Sequence, residues 1–303
     1  MKVFQSISQF KTAKKTIVTI GTFDGVHLGH QSLLLKLKKR NELESVLITF
    51  FPHPRMVLQV DSNIKLLNTI KEKTALLEKN NIENLIIHPF DKAFSRLTAE
   101  EFVEDILVNQ LNIDTLIIGH DHRFGRNRSA TVNDLIAFGK KYNFNVEQIT
   151  AKEIDEITIS STKIRSALES GEVKLANTYL GYEYSILGTV IKGLQNGRSI
   201  GFPTANITID ESYKLIPKNG VYAVKTTLKN RTVFGMLNIG TNPTVGLNKK
   251  SIEVHFFDFN EDLYDQKITL RLLDYFREEQ KFDSLEALKE QLQLDKEAVL
   301  NSI

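Results

Sequence analysis

The chain has 303 residues, 41% of them apolar, and 39 Lys and Arg against 37 Asp and Glu give a net charge of +2. A charge so near balance argues against the basic stripe of a dedicated nucleic-acid binder, but leaves room for local positive charge around a small polyanion. The absence of cysteine excludes disulfides, thiolate metal sites, iron–sulfur clusters and cysteine nucleophiles.

This length is too great for one small domain and comfortable for two. The opening stretch "MKVFQSISQFKTAKK" lacks the apolar core of a signal peptide. No apolar run approaches the roughly 20 residues of a membrane span, so a cytosolic protein without membrane contact is expected.

Strand-like and helix-like segments alternate through the first half. "TIVTIG" (16–21) is a β-branched run, and "HQSLLLKLKKR" (30–40) carries a helical apolar face. "SVLITF" (45–50) is a strand running into "FPHP", where Pro52 and Pro54 forbid a regular ladder. Helix 64–80, strand 84–90 and helix 98–111 follow, the last opened by a capping box of Thr98 and Glu101. Strand 114–119, helix 131–142 and strand 144–149 complete the series. Such alternation predicts βαβ units and a Rossmann-like parallel sheet. Ligands of these sheets bind beyond the carboxyl ends of the strands, where "GTFDGVHLGH", "FPHPR" and "GHDHRFG" converge. A helical stretch at 161–181, broken by Gly171, leads to a change of texture near Tyr184. From there short strands separated by Gly and Asn turns run to one helix at 284–294, which predicts a small antiparallel β-barrel with a terminal helix. The expected domains are 1–182 and 183–303.

In "GTFDGVHLGH", Gly25 and Gly29 let backbone approach a ligand, and the following helix offers free N–H groups to an anion. His27 and His30, three apart, face the same way on a first helical turn and can donate to phosphate oxygens. A loop without function and a zinc site with His120 and His122 are the competing readings. In "GHDHRFG", Asp121 can bond a ribose or base edge and Arg123 can grip phosphate with two prongs. In "ISSTKIR", Ser161 and Thr162 precede or open a helix, one of them as a cap, while Lys163 and Arg165 stand where the helix dipole disfavours cations. A nearby anion offsets that cost.

In the second half, Gly188, Gly193, Gly197 and Gly201 punctuate "GTVIKGLQNGRSIGFPTANI", either as hairpin turns or as a flap over phosphates. Thr204 and Asn206 are neutral oxygen donors two apart in an extended segment, a set that suits Mg²⁺ alongside substrate phosphates. In "SIEVHFFDF", Ile252, Val254 and Phe256 share one face, with Ser251, Glu253 and His255 on the other. Glu253 is then either a solvated glutamate or a general base toward a substrate hydroxyl.

In this order "GTFDGVHLGH", "FFPHP", "GHDHRFG" and "ISSTKIR" resemble the adenylyltransferase module of bacterial bifunctional riboflavin kinase/FAD synthetases, a HIGH-type nucleotidylyltransferase. "GRSIGFPTANI", "GVYAV", "GMLNIGTNPTVG" and "IEVHFFDFNEDLYDQ" resemble the riboflavin kinase module of the same family, and the likeness runs from about 16 to 295. The resemblance implies that Gly21, Phe23, His27, Gly29, His30, Asp121, Arg123, Ser161, Thr162 and Arg165 face ATP, with Pro52, His53 and Pro54 on the flavin side. It further implies that Thr204 and Asn206 hold Mg²⁺ and that Glu253 activates the ribityl hydroxyl. Gly193, Gly197, Arg198, Gly201, Pro203, Asn238 and Arg277 would line the kinase nucleotide and flavin sites.

The implied function is phosphorylation of riboflavin to FMN, then adenylylation of FMN to FAD. ATP is the co-substrate, FMN and FAD the product ligands, and small molecules the partners. Of protein partners, only weak or transient self-association is expected. A single-activity adenylyltransferase with a flavin-binding barrel, and a regulator without turnover, are the alternatives. The family usually reads "LYGQ" where this chain has Leu263, Tyr264, Asp265 and Gln266. An Asp there requires a left-handed conformation, which Asp tolerates.

Overall fold

β1 (Lys2–Phe4), β2 (Thr16–Ile20), β3 (Glu44–Phe50), β4 (Asn84–His88), β5 (Ile113–Ile118) and β6 (Asn145–Gln148) form one sheet in the order β1-β4-β3-β2-β5-β6. Every pairing in it is parallel. The computed structural model describes residues 1–38, 42–59, 63–119, 123–149, 159–193, 197, 200–241 and 250–303.

Alternation along the strands sends side chains to two cores. Val18, Val46, Ile48, Ile86, Leu116 and Ile118 pack with Phe102, Val103, Leu107 and Leu135 on one face. Ile17, Leu47, Leu85, Ile87 and Ile117 pack with Leu33, Leu34, Leu37 and Leu77 on the other. The helices supplying those partners are α1 (Leu28–Lys38) and α3 (Ile70–Lys79) on the second face, with the short α2 (Pro54–Leu58) between them in sequence. α4 (Ala99–Glu101), which continues with π-type winding through Phe102–Gln110, and α5 (Val132–Tyr142) cover the first face. Burial on both faces explains why β2 is apolar or β-branched along its whole length. The capping box reads as expected: Thr98 Oγ1 accepts from Glu101 N (3.2 Å), and the Glu101 carboxylate accepts from Thr98 N (2.8 Å). The strand order reverses at β2, so the chain leaving β2 and the chain leaving β5 flank the topological switch point.

The compact units divide at Met1–Ser161 and Thr162–Ile303, earlier than the expected change at 182/183. The reason is local packing. α6 (Ser161–Ser170) and α7 (Val173–Leu180) belong, from Thr162 on, with the barrel. Leu168 O accepts from Lys218 N (3.0 Å), Asn177 Nδ2 donates to Leu272 O (2.9 Å), and Lys174 pairs with Asp274 (2.7 Å). Gly171, which breaks the stretch, has φ +90, and a Cβ there would lie 3.2 Å from the Tyr275 ring.

The second unit is a closed antiparallel barrel of β7 (Ser185–Ile191), β8 (Ala205–Thr208), β9 (Gly220–Leu228), β10 (Arg231–Thr241), β11 (Lys250–Phe256) and β12 (Lys267–Arg277). Its order is β10-β11-β8-β7-β12-β9, closed by the β9–β10 hairpin. Lys229 (φ 47) and Asn230 (φ 64) make that turn with two left-handed residues, as a tight hairpin requires. Asp265 has φ 62, so the departure from the family's glycine is accommodated.

α8 (Leu285–Leu300) starts at Ser284, whose Oγ accepts from Ala287 N (3.1 Å), and it runs longer than its sequence period suggested. Val299 and Leu292 join Phe202, Ala223, Met236 and Phe257 in the layer beneath it. Arg277 clamps the same helix: its Nε and Nη2 donate to the two oxygens of Asp295 at 2.8 and 2.5 Å. The Asp295 side chain is 5% exposed. Removing one member of a buried pair strands the other charge, so Asp295→Ala is expected to destabilise the barrel by about 3 kcal/mol or more. Urea unfolding followed by circular dichroism measures it.

Candidate functional site

Residues 21–27 connect β2 to α1 in a contorted path. Phe23 (φ 46), Gly25 (φ 86) and Val26 (φ 38) all lie in the left-handed region. For a β-branched valine this is a strained conformation that persists only if neighbours over-determine it. Buried hydrogen bonds supply the determination. Asp24, 1% exposed, accepts from the amides of Leu67 (2.9 and 3.2 Å) and Asn68 (3.4 Å). The Thr22 carbonyl accepts from Lys73 Nζ (2.7 Å) and Thr49 Oγ1 (3.1 Å). Ser161 Oγ donates to Asp24 O (2.8 Å), so its role within the first unit is to tie this loop. Gly21 has the same loop above it: a Cβ there would lie 3.2 Å from the Phe23 ring.

This path delivers His27 to the edge of α1 and His30 to its first turn, together with the buried Gly29. The rings stack with centroids 3.7 Å apart and 22° between planes, and Phe23 flanks His30 at 5.0 Å. Burial pushes His27 down to about 4 against the opposing pull of Asp24. Burial, then His27, then Lys73 hold His30 well below the ordinary histidine value. Both imidazoles are therefore neutral at pH 7, each with one N–H to give and one lone pair. The Nδ1 atoms of both are buried and meet no hydrogen-bond partner among the described residues. Beside them Lys73, 3% exposed, is pushed down to about 8 by burial, with Asp24 acting the other way. Neutral imidazoles at a helix N-terminus, with the Lys73 side chain nearby, offer N–H donors to an anion.

The other expected residues of this half fall as follows. Asp121, with His120 and His122, lies outside the described residues. Arg123 is exposed, and its neighbour Phe124 is buried in the sheet core. Thr162 and Arg165 begin the second unit, Thr162 exposed and Arg165 half-buried. Pro52 follows a cis peptide, and Pro54 opens α2. His53, 8% exposed, accepts the Arg55 amide on Nδ1 (3.1 Å) and so caps that helix, which leaves its proton on Nε2.

In the barrel the site is set by register. Glu253 pairs with Asn206 of β8 on one side and with Asn238 of β10 on the other. Residues directly opposite share a face, so the three polar side chains form a row across three strands. Ile252, Val254 and Phe256 are buried on the reverse face, as the alternation predicted. Thr204 Oγ1 donates to Glu253 Oε2 at 3.3 Å. Gly193 lies on the Asn206 amide so closely that a Cβ would come 2.1 Å from Nδ2. Gly197 is as confined, its Cβ position 2.2 Å from Phe202 O, whereas Gly201 is open and owes its place to φ +85. Pro203 is exposed, and Arg198 lies outside the described residues. A cavity of about 400 Å³ has Val190, Pro203, Thr204, Ala205, Val254 and Tyr264 among its walls. Arg277, paired with Asp295 of α8, also donates from Nη1 to Glu278 O (2.9 Å). Thr204, Asn206 and Glu253 are all oxygen donors, so the set fits a hard divalent cation better than a softer one.

Sequence reasoning missed Asp24, Thr49 and Lys73. A signal existed for Lys73, which occupies the buried stripe of α3 between Ile70 and Leu77. A lysine on an apolar face needs a partner inside.

Comparisons with known proteins assign a separate family to each half of the chain. The FAD synthetase family model matches residues 9–163, and the riboflavin kinase model matches 180–303. The chain is 41% identical to the bifunctional riboflavin kinase/FMN adenylyltransferase of Buchnera aphidicola subsp. Schizaphis graminum, covering 99% of this chain and 98% of the relative. The Escherichia coli K12 protein of the same name is 36% identical over 97% and 96% of the two chains. A solved Streptococcus pneumoniae structure described as a macrolide-efflux protein superposes with a TM-score of 0.89 at 30% identity, covering 99% of this chain and 98% of that one. Among the described residues here, no helix is long and apolar enough to cross a membrane.

The depressed histidines have a pH consequence. The folded-state value of His27, about 4, lies below the ordinary 6.5. Its contribution to stability is therefore present above 6.5 and lost as pH falls from 6.5 toward 4. Nuclear magnetic resonance titration of the imidazole is expected to place His27 near 4 in the free protein. Saturating tripolyphosphate is expected to move that midpoint upward.

Proposed function

We infer, for a chain that belongs to the bifunctional riboflavin kinase/FMN adenylyltransferase family, that each unit carries one of the two reactions and that the residues described above perform them. The enzyme phosphorylates riboflavin with ATP to FMN, then adenylylates FMN with a second ATP to FAD and pyrophosphate. The observation that carries the assignment of residues is the row of Asn206, Glu253 and Asn238, placed side by side by β-ladder register.

In the barrel, Glu253 accepts the proton of the ribityl hydroxyl as that oxygen attacks the γ-phosphorus of ATP and ADP departs. The Thr204 hydroxyl, bonded to Glu253, holds the carboxylate to one side. Thr204 and Asn206 are the residues that would hold Mg²⁺, which when bound supplies charge neutralisation between phosphate oxygens. Gly193 leaves the Asn206 amide the space it occupies, which a Cβ would take.

In the first unit, a phosphate oxygen of FMN attacks the α-phosphorus of ATP, and the bond to the pyrophosphate oxygen breaks. No side-chain nucleophile and no proton transfer are needed, so catalysis consists of positioning and charge stabilisation. His27 and His30 give their N–H groups to phosphate oxygens, backed by the α1 N-terminus and the Lys73 ammonium. As negative charge gathers on the leaving pyrophosphate, the neutral rings polarise toward it at little reorganisation cost. Arg123 and Ser161 remain assigned to the ATP side, and Pro52, His53 and Pro54 to the flavin side.

Substitutions separate the reactions. Glu253→Gln is expected to abolish riboflavin phosphorylation while FAD still forms from supplied FMN. His27→Ala combined with His30→Ala is expected to do the reverse, so FMN accumulates. Chromatographic separation of riboflavin, FMN and FAD reads both, and one substitution that removed both activities in a folded protein would overturn the two-site model. Gly193→Ala is expected to lower phosphorylation by about 100-fold through displacement of Asn206, leaving adenylylation unchanged.

A further inference from the structure

β8 begins at Ala205, and its pairing with β11 consists of Asn206 with Glu253 and Ala205 with Val254. Pro203 and Thr204 lie beyond that pairing. Pro203 has no N–H to offer a neighbouring strand. Yet the Thr204 hydroxyl reaches Glu253 at 3.3 Å, near the long limit of a hydrogen bond, where a small displacement breaks it. Something other than the ladder must hold this segment.

His255 does so. Its Nδ1 lies 2.8 Å from Pro203 O. A carbonyl oxygen only accepts, so the proton sits on Nδ1. The ring is 9% exposed and fixed edge-on between Phe202, with centroids 5.2 Å apart, and Phe257, at 5.9 Å. His255 is two residues after Glu253 on β11 and therefore on the same face. One strand thus carries both the carboxylate and the donor that fixes the peptide next to it.

We propose that His255 is a positioning residue of the kinase site, which holds the Pro203 carbonyl, and with it the Thr204 hydroxyl, in register with Glu253. The proposal rests on the reading of Thr204 and Glu253 as kinase residues. It assigns His255 no contact with substrate and no proton transfer. The burial of His255, which the strand alternation alone would place beside a half-buried Glu253, follows from this bond and from the Phe202 and Phe257 rings around it.

Two substitutions in the full-length protein separate the donor from the ring. His255→Phe keeps the aromatic contacts and removes the N–H. His255→Asn removes the ring and places an amide N–H where Nδ1 stood. A ~1 Å misplacement at a reacting centre costs up to about 100-fold, so His255→Phe is expected to lower kcat for riboflavin phosphorylation at least about tenfold and His255→Asn to stay within about threefold of the parent. FAD formation from supplied FMN should be unchanged in both. The parent's imidazole ¹⁵N spectrum should show the Nδ1-protonated tautomer. An Nε2-protonated ring, a His255→Phe variant with parental kcat, or a folded His255→Asn variant as impaired as His255→Phe would overturn the proposal. The tautomer decides the question if either variant fails to fold. Glu253→Gln in the same assay separates the two levels. If it retains phosphorylation, the kinase-site reading itself fails; if it is inactive while His255→Phe is unaffected, only the role of His255 falls.

Discussion

One buried carboxylate organises the first unit. Asp24 is out of water at the end of the loop that leaves β2, and a carboxylate there must find donors. It takes the amides of Leu67 and Asn68, and so joins the β2–α1 connection to the segment just before α3. The adjacent Thr22 carbonyl takes Lys73 from α3 itself. Two segments distant in sequence are thereby locked across the carboxyl edge of the sheet. The left-handed backbone at Phe23 and Val26, the orientation of α1 and the stacking of His27 on His30 all follow from that lock.

The barrel reaches the same end by different means. Among the described residues it has no comparable knot of buried charge near its polar row. Backbone hydrogen bonding in β8, β10 and β11 sets Asn206, Glu253 and Asn238 side by side, and Gly193, lacking a Cβ, lets the backbone approach the Asn206 amide. The first unit is thus a site held by side chains, the second a site held by main chain. Each also carries a charged group within its polar cluster, Lys73 beside the histidines and Glu253 in the barrel row, and each of these has a hydrogen-bond partner from its own unit.

Much of this was legible in the sequence, for physical reasons that can be named. Period-two and helical patterns depend on burial, so β2 to β6 and the barrel strands were readable. The short edge strand β1 has too few residues to show a period. The motif residues were found because turns, caps and cations in unusual places stand out locally. That α6 and α7 are held through Leu168, Asn177 and Lys174 against the barrel is something sequence alone cannot show, because the partners lie in distant strands and loops. The Arg277–Asp295 pair could not be read in advance, because nothing nearby in sequence announces Asp295, which meets Arg277 from another element. Asp24 was missed because its partners, the Leu67 and Asn68 amides, are distant in sequence; Lys73 left a signal on the apolar face of α3 that was not read.

The polar row across the barrel has a fixed pitch. Neighbouring strands stand about 4.8 Å apart, so Asn206 and Asn238 are separated by about 10 Å with Glu253 midway. That interval is dictated by peptide hydrogen bonds and not by any side chain. Substitution can change which groups occupy the marks, but cannot slide the marks along the scale. The barrel behaves as a ruler, and any change in what it measures must come through the reach of its side chains.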